Sequence, residues 1–449
     1  MPNPYLPLWE YIPDGEPRVF GDRVYIYGSH DRAGSDEFCD YVLKCWSAPL
    51  DNLNDWVCHG DIFRVKADGN RPSDTDWTPD KNQLLFAPDV VCKNGKYYLY
   101  AYIVNAHGCV AVSDRPEGPF RLLSKYEYTI SDEICCNGWF IDPGVLVDDD
   151  GRSYIYCGFE RSFMAEIDDS MYRVKDNTCI EHIIPIKPDS EHGFDEEESL
   201  FFEACSPRKV GDTYYLIYSP KRGSRLAYAT SDKPTGPFKY RGYIVDNGVD
   251  YPGGNNHGSI AQINGQWYVF YHRMTNGTIM SRRDCVERIE ILPDGTIPTV
   301  EMTSLGFEES LSPYKLTDAE IACVLKGGAF VTEHNEFDRV VTNIKHGAVI
   351  GYKYFDFGLD NGNGRMFFSA DIKGMGADCT VHIRIDGEDG QEIGSLKVGH
   401  ADGVYKTEVK AVSGRHSLYL TIEAPYEGWT ADFFKDRPLF ELKKFVFTK

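Results

Sequence analysis

Positive charge is scarce in this chain: 47 Lys and Arg stand against 69 Asp and Glu over 449 residues, for a formal charge of −22. So acidic a surface repels phosphate backbones and anionic lipid, so nucleic acid and membrane surfaces are not expected partners. No apolar run approaches the roughly 20 residues of a membrane-spanning helix. The opening stretch, MPNPYLPLWEYIPDGEP, lacks both the basic segment and the apolar core of a secretory leader, and the expectation is a soluble, cytoplasmic protein. Cysteine is plentiful, at thirteen, but no pair has C-x-x-C spacing and Cys135 and Cys136 are adjacent. That pattern excludes a zinc ribbon or dithiol motif and predicts buried free thiols in a reducing compartment.

What is present instead is a repeat. A tight turn followed by a β-branched and aromatic burst occurs in GDRVYIYGSHD, NGKYYLYAY, DGRSYIYCGF, GDTYYLIYS and NGQWYVFYHR. The turn glycines are Gly21, Gly95, Gly151, Gly211 and Gly265, spaced by 74, 56, 60 and 54 residues. Each unit reads as a hairpin, and a period of this size with no helical pattern between units predicts five propeller blades. Prolines 2, 4, 7, 13 and 17 make the leading segment extended. The related stretches SDRPEGPF (113–120), SDKPTGPF (231–238) and SAPLDNLNDW (from Ser47) are expected to be turns connecting blades. Segments 61–82 and 187–199 read as long surface loops, and Pro293-Asp-Gly295 as a final hairpin that completes the last blade. Near residue 310 the repeat stops. Seven short alternating strands follow, from VIGYKYFDFG to LFELKKFVF, and predict a β-sandwich. The expected organisation is all-β: a five-bladed propeller over 1–308, then a jelly-roll-like sandwich over 309–449.

A propeller gathers side chains from several blades at its axis, so acids standing just ahead of the repeat hairpins are candidate functional groups. Asp14, Asp142 and Glu203 lie seven, nine and eight residues before Gly21, Gly151 and Gly211, and Asp89 lies six before Gly95. Two carboxyl groups, one donating a proton to a leaving oxygen and one activating water, are the apparatus of glycosidic cleavage. A third nearby acid raises the donor's pKa. Against this stands the ordinary use of Asp-Gly and Asp-Pro in turns, an objection weakest for Glu203, between Phe202 and Ala204. In GGNNHGS, His257 stands among glycines that permit close backbone approach at a crowded axis. A lone histidine cannot make a zinc site, and a calcium ion completed by water suits it better. A histidine satisfied by loop backbone is the other reading.

As an ordered set, YIPDGEPRVFGDRVYIYGSHD, FAPDVVCKNGKYYLY, FIDPGVLVDDDGRSYIYCGF, FFEACSPRKVGDTYYLIYS, NNHGSIAQINGQWYVFYHR and CVERI resemble glycoside hydrolase family 43 over residues 1 to about 305. The resemblance implies inverting hydrolysis of arabinosides and xylosides, with Asp14 as general base, Asp142 as the pKa-tuning acid and Glu203 as general acid. It implies that His257 is the axial histidine of a calcium–water site. Arg283 falls where the family has a substrate-contacting arginine, with Arg282 and Arg273 as alternatives. Phe86 replaces a usual tryptophan, and Trp9, Phe86 and Trp139 are candidate stacking residues, with Asp89 as a further substrate contact. The expected activity is exo-acting α-L-arabinofuranosidase on arabinoxylan- or xylan-derived oligosaccharides. The alternatives are β-xylosidase or dual activity, and outside enzymes a sugar-binding or a protein-interaction propeller. The C-terminal region resembles a family 6 carbohydrate-binding module, but Lys443 and Lys444 stand near the last strand, where that family often has an ion-binding acid.

Overall fold

The computed structural model describes residues 1–75, 83–104, 107–124, 141–359, 364–375 and 377–449. Five antiparallel sheets follow one another along the chain. Blade 1 comprises Glu16–Phe20, Arg23–Gly28, Val42–Pro49 and Val57–Arg64, and blade 2 Leu85–Lys93, Lys96–Ile103, His107–Ser113 and Arg121–Leu122. Blade 3 comprises Gly144–Val147, Ser153–Cys157, Phe163–Ile167 and Ile180–Glu181, and blade 4 Phe201–Val210, Thr213–Pro220, Arg225–Ser231 and Lys239–Asp246. Blade 5 has three strands, Ser259–Ile263, Gln266–Thr275 and Thr278–Ile289. The five repeat glycines sit in the turns between first and second strands, all at φ between 60° and 84°, where a side chain would be strained. The propeller and the sandwich behind it are thus as the sequence leads one to expect, and α-helix among the described residues is confined to Trp429–Phe434. Among those residues no helix is long and apolar enough to cross a membrane.

Successive apolar residues of the inner strands face opposite sides, as Ile26 and Tyr27 do, so each blade buries one face against each neighbour. The cores form accordingly: Tyr27, Leu43 and Leu99 between blades 1 and 2, Tyr100 and Ile155 between 2 and 3, Tyr156 and Leu216 between 3 and 4. Val24, Trp46 and Phe270 fill the space between blades 5 and 1. The core between blades 4 and 5, with Tyr228 and Tyr271, runs without a break into that of the C-terminal sandwich. Cys39, Cys45, Cys109, Cys205, Cys285, Cys323 and Cys379 are buried free thiols, as expected, but Cys58 is exposed and Cys92 and Cys179 are half-buried; Cys135 and Cys136 lie outside the described residues.

Two expectations need correction. The SAPLDNLNDW, SDRPEGPF and SDKPTGPF turns join third to fourth strands within blades 1, 2 and 4 and do not connect blades. The turn at Pro293–Gly295 adds no strand to blade 5. It lies against blade 4, with the Tyr215 hydroxyl donating to Gly295 O (2.8 Å) and Val300 N–H to Ile244 O (2.9 Å). Blade 5 is instead tied to the N-terminus by a side chain. The Asn3 carboxamide donates to Val286 O (2.8 Å) and accepts from Val286 N (2.9 Å), the pair of bonds a neighbouring strand would make.

The C-terminal sandwich has two facing sheets. One runs in the order Phe330–Glu333, Arg339–Ile344, Phe440–Thr448, Met366–Gly374, Gly403–Val409, and the other Val324–Lys326, Val349–Asp356, Arg415–Glu423, Cys379–Ile385, Gln391–Val398. All seven strands expected from the alternation are present. The three between Val324 and Ile344 are additional.

The inner strands are joined by buried charge. Arg18 of blade 1 pairs with Asp89 of blade 2 through Nε–Oδ1 (2.9 Å) and Nη2–Oδ2 (2.5 Å), and donates to Val145 O of blade 3 (3.0 Å). Asp89 also accepts from Val145 N (2.8 Å). Arg208 of blade 4 pairs with Glu16 of blade 1 (2.5 Å) and donates to Ile260 O of blade 5 (3.1 Å). Asp89 is therefore a fully buried structural counter-ion and not a substrate contact. Removing one partner of such a pair strands a buried charge, at a cost of about 3–5 kcal/mol. Asp89→Ala should lower the unfolding free energy extrapolated from urea titration by that amount while leaving KM unchanged below the unfolding range.

Candidate active site

At the top of four inner strands the backbone enters the left-handed region: Asp14 (φ 59°), Ala87 (φ 21°), Asp142 (φ 49°) and Ala204 (φ 68°). In blades 2 and 4 this coincides with a break in strand register, between Phe86 and Asp89 and between Glu203 and Ser206. Such a bulge turns a side chain out of the pleat. In blade 4 the bulge turns Glu203, and in blades 1 and 3 the left-handed backbone at Asp14 and Asp142 turns those side chains, into one axial pocket of about 360 Å³. Two residues further along each strand lie Glu16, Asp89, Gly144 and Ser206, one tier deeper. Asp89 belongs to that tier, although its distance from the repeat glycine resembles that of Asp14.

The pocket is lined by Asp14, Asp142, Glu203, His257, Arg282, Asn255 and Cys39, with apolar walls of Phe38, Phe86, Ile141, Phe159, Phe202 and Ile279. Gly258 lets His257 reach the axis, since a Cβ there would lie 1.9 Å from Phe270 O. His257 Nδ1 lies 3.8 Å from Asp14 and 3.9 Å from Asp142, and its Nε2 lies 3.8 Å from Glu16 Oε1.

Asp14 and Asp142 are buried and Glu203 is half-buried, and the three are differently partnered. Asp14 accepts from Arg282 Nη1 (2.8 Å) and from Ser29 Oγ (2.7 Å), and its backbone N–H points at His272 Nδ1 (3.4 Å). Burial opposes its ionisation, but Arg282 and the two histidines outweigh burial and hold its carboxyl far below the ordinary range. Asp142 has no guanidinium against it. Burial first, and the negative charge of Asp14 second, outweigh the attraction of His257 and push it up to about 6. Glu203 is pushed up to about 8 by burial and by Asp142, with Asn255 as a hydrogen-bond partner. His257 moves to about 9: burial lowers it, but Glu16, Asp142 and Asp14 raise it further.

Among the aromatic candidates only Phe86 is described in the pocket wall. Trp9 is 41% exposed and packs on Trp46, ring centroids 5.9 Å apart, away from the pocket. Trp139 lies outside the described residues. Arg283 is not the pocket arginine. It is buried against Glu320 at 3.2 Å, and Arg282, one residue earlier, faces Asp14. Successive side chains on Thr278–Ile289 point to opposite sides, so the two arginines serve different partners. Phe38, Cys39, Phe159, Phe202, Asn255 and Ile279 were not anticipated. Phe202 and Asn255 flank the acid and the axial histidine in sequence, whereas Phe38, Cys39 and Phe159 come from connections that carry no repeat signal.

For a metal, the axis offers His257 Nε2 and the buried Glu16 Oε1, which has no hydrogen-bond partner. Among the described residues no group of three or more His, Cys, Asp or Glu could hold an ion. Calcium takes 6–8 oxygens, so these residues fit only an ion whose shell is mainly water.

A carboxyl held at about 8 against an ordinary 4.5 favours the protonated fold, so its burden on stability is absent below about pH 4.5 and grows until about pH 8. Glu203→Gln should therefore raise the melting temperature at pH 8 and change it little at pH 4.5. A shift equal at both values would contradict this origin of the raised pKa.

Comparison with known proteins agrees with this geometry. The family model "Glycosyl hydrolases family 43" matches residues 52–297. A "Xylosidase/arabinosidase" of Thermoclostridium stercorarium is 39% identical over 472 residues, covering 93% of this chain and 95% of that protein. The crystal structure of CoXyl43 from a compost microbial metagenome, described as a β-xylosidase/α-arabinofuranosidase with xylotriose in calcium-free form, is 29% identical (TM-score 0.55), covering 67% of this chain and 98% of its own. An arabinoxylan arabinofuranohydrolase from Bacillus subtilis shares the fold over 100% of this chain and 97% of its own (22% identity, TM-score 0.56). This chain, with its acids gathered at the axis of five blades, belongs to glycosyl hydrolase family 43 and is a glycoside hydrolase.

Proposed function

We propose that the enzyme releases terminal α-L-arabinofuranosyl residues, and β-xylosyl residues at the same site, from arabinoxylan- or xylan-derived oligosaccharides, with inversion. The observation that carries this is the opposite perturbation of two carboxyls in one pocket. Asp14 stays ionised at any working pH and Glu203 stays protonated up to about pH 8. Environments that drive two acids apart in this way mark the base and the acid. Asp14 takes the proton of a water as that water attacks the anomeric carbon, and Glu203 gives its proton to the departing oxygen on the other face. Asp142 keeps Glu203 protonated, and Arg282 orients Asp14. Phe86, Phe159 and Phe202 offer apolar faces to the C–H surface of a pentose. The ion pairs beneath the pocket favour end-on entry of one terminal sugar, and the near full-length relative named for both activities supports dual specificity.

At the axis we propose a hydrated calcium between His257 and Glu16 as a structural ion, which takes no part in a chemical step. Adding calcium to chelator-treated protein should raise its melting temperature, and no change would remove the ion from this reading. For the C-terminal sandwich we propose a supporting role, not an ion-dependent sugar site of the family 6 type. Lys444 is paired with Asp318 (3.0 Å) and Asp338 (3.5 Å) where the ion-binding acid was expected.

Hydrolysis of nitrophenyl α-L-arabinofuranoside and β-D-xylopyranoside should both proceed, with NMR showing the inverted anomer first. Asp14→Ala and Glu203→Ala should each lose about 10²–10⁴-fold in kcat. The alkaline limb of kcat/KM should fall near pH 8 and move to lower pH in Asp142→Asn, which removes a like charge beside Glu203. Initial release of the retained anomer would refute the paired roles.

A further inference from the structure

We propose that the C-terminal sandwich is a working part of the active site: its hairpin Phe330–Glu333 and Arg339–Ile344 clamps Tyr11 and the tip of blade 5, and thereby positions Asp14 and Arg282. The inference rests on the reading of Asp14 as the base.

Tyr11 lies three residues before Asp14 and is 2% exposed. Its hydroxyl donates to Glu333 Oε1 (2.6 Å) and accepts from Arg339 Nε (2.7 Å). The guanidinium groups of Arg339 and Arg283 lie 5.2 and 5.8 Å from its ring centroid. The Tyr11 carbonyl accepts from Asp31 N (2.9 Å), and Asp31 holds Arg282 through Nε (2.9 Å) and Nη2 (3.0 Å). One side chain therefore stands between the sandwich and both members of the Asp14–Arg282 pair.

The same hairpin grips blade 5. Asn276 donates its amide to Glu333 Oε1 (2.9 Å) and its backbone N–H to Val331 O (2.6 Å), and accepts from Thr332 Oγ1 (2.7 Å). Ile279 and Arg282, both pocket residues, follow within six positions on the strand that leaves this turn. Arg283 is anchored to Glu320 by two further bonds (3.2 and 3.3 Å). Covering an apolar edge needs none of this directed polar bonding. Its geometry serves to fix the angle at which two segments enter the pocket. Glu333, Arg339 and Glu320 touch no pocket atom and are positioning residues.

Full-length Glu333→Ala, Glu333→Gln and Arg339→Met should be compared with Asp14→Asn on a nitrophenyl pentoside, with kcat, KM, pH profile and melting temperature recorded for each. A small misplacement of a catalytic group costs up to ~10²-fold, so Glu333→Ala and Arg339→Met should lose about 10- to 100-fold in kcat with KM changed less than about threefold. Glu333→Gln, which still accepts from Tyr11 and Asn276, should restore most of the activity. Wild-type kcat and pH profile in folded Glu333→Ala, beside an inactive Asp14→Asn, would overturn the clamp and leave the base intact. An active Asp14→Asn would overturn the base reading and the clamp with it.

Discussion

The acids on the propeller axis are buried or, at Glu203, half-buried, and a carboxylate withdrawn from water must find a cation or keep a proton. The rest of the site depends on how that requirement is met. Glu16 has Arg208, Asp89 has Arg18 and Asp14 has Arg282, each within hydrogen-bond distance. Among the described residues no guanidinium pairs with Asp142 or Glu203; His257 attracts both, and Arg282 attracts Asp142 more weakly. The arginines hold Glu16 and Asp14 below the ordinary carboxyl range, burial raises Asp89 despite Arg18, and Asp142 and Glu203 are raised to about 6 and about 8. Two of these cations also join all five inner strands, so the bonds that close the ring are the bonds that set the charge at its centre.

The blade plan was legible because its signals are local. A glycine at each first turn and the β-branched and aromatic run that follows it need no distant partner, and both reappear in the structure. The three pocket acids were legible for the same reason, since each stands just ahead of a hairpin. The depth of an acid was not. Asp89 and Asp14 stand at similar distances from their glycines, but glycine is second in the Asn94-Gly95 turn and first in the Gly21-Asp22 turn, so Asp89 matches Glu16, each four residues before the end of its strand. Counting from the glycine hides that one-residue difference in the turns.

The choice between Arg282 and Arg283 was lost for a related reason. On a strand a step of one residue reverses the face, and the face is decided by what lies on either side. Asp14 and Asp31 stand on one side and Glu320 on the other. That second partner arrives from a domain whose strands show only generic alternation, so nothing near Arg283 in sequence announces it. The aromatic walls contributed by Phe38 and Phe159 were hidden likewise, since connecting segments lie outside any period.

Depressing a base weakens its affinity for protons, and the strong Arg282 contact on Asp14 would seem to work against its task. The arrangement makes sense when the whole pocket is considered. With Asp142 and Glu203 carrying no guanidinium, a second acid of ordinary pKa at this depth would compete with them for protons as pH falls. Fixing Asp14 as an anion keeps its negative charge in place, which helps hold Glu203 protonated towards pH 8. The working state, one carboxylate and one carboxylic acid, is then the dominant state over a wide range instead of one among several tautomers. Basicity is reduced at one carboxyl so that the proton has one address, and the contacts that keep Arg282 against Asp14 become as important to the chemistry as either acid.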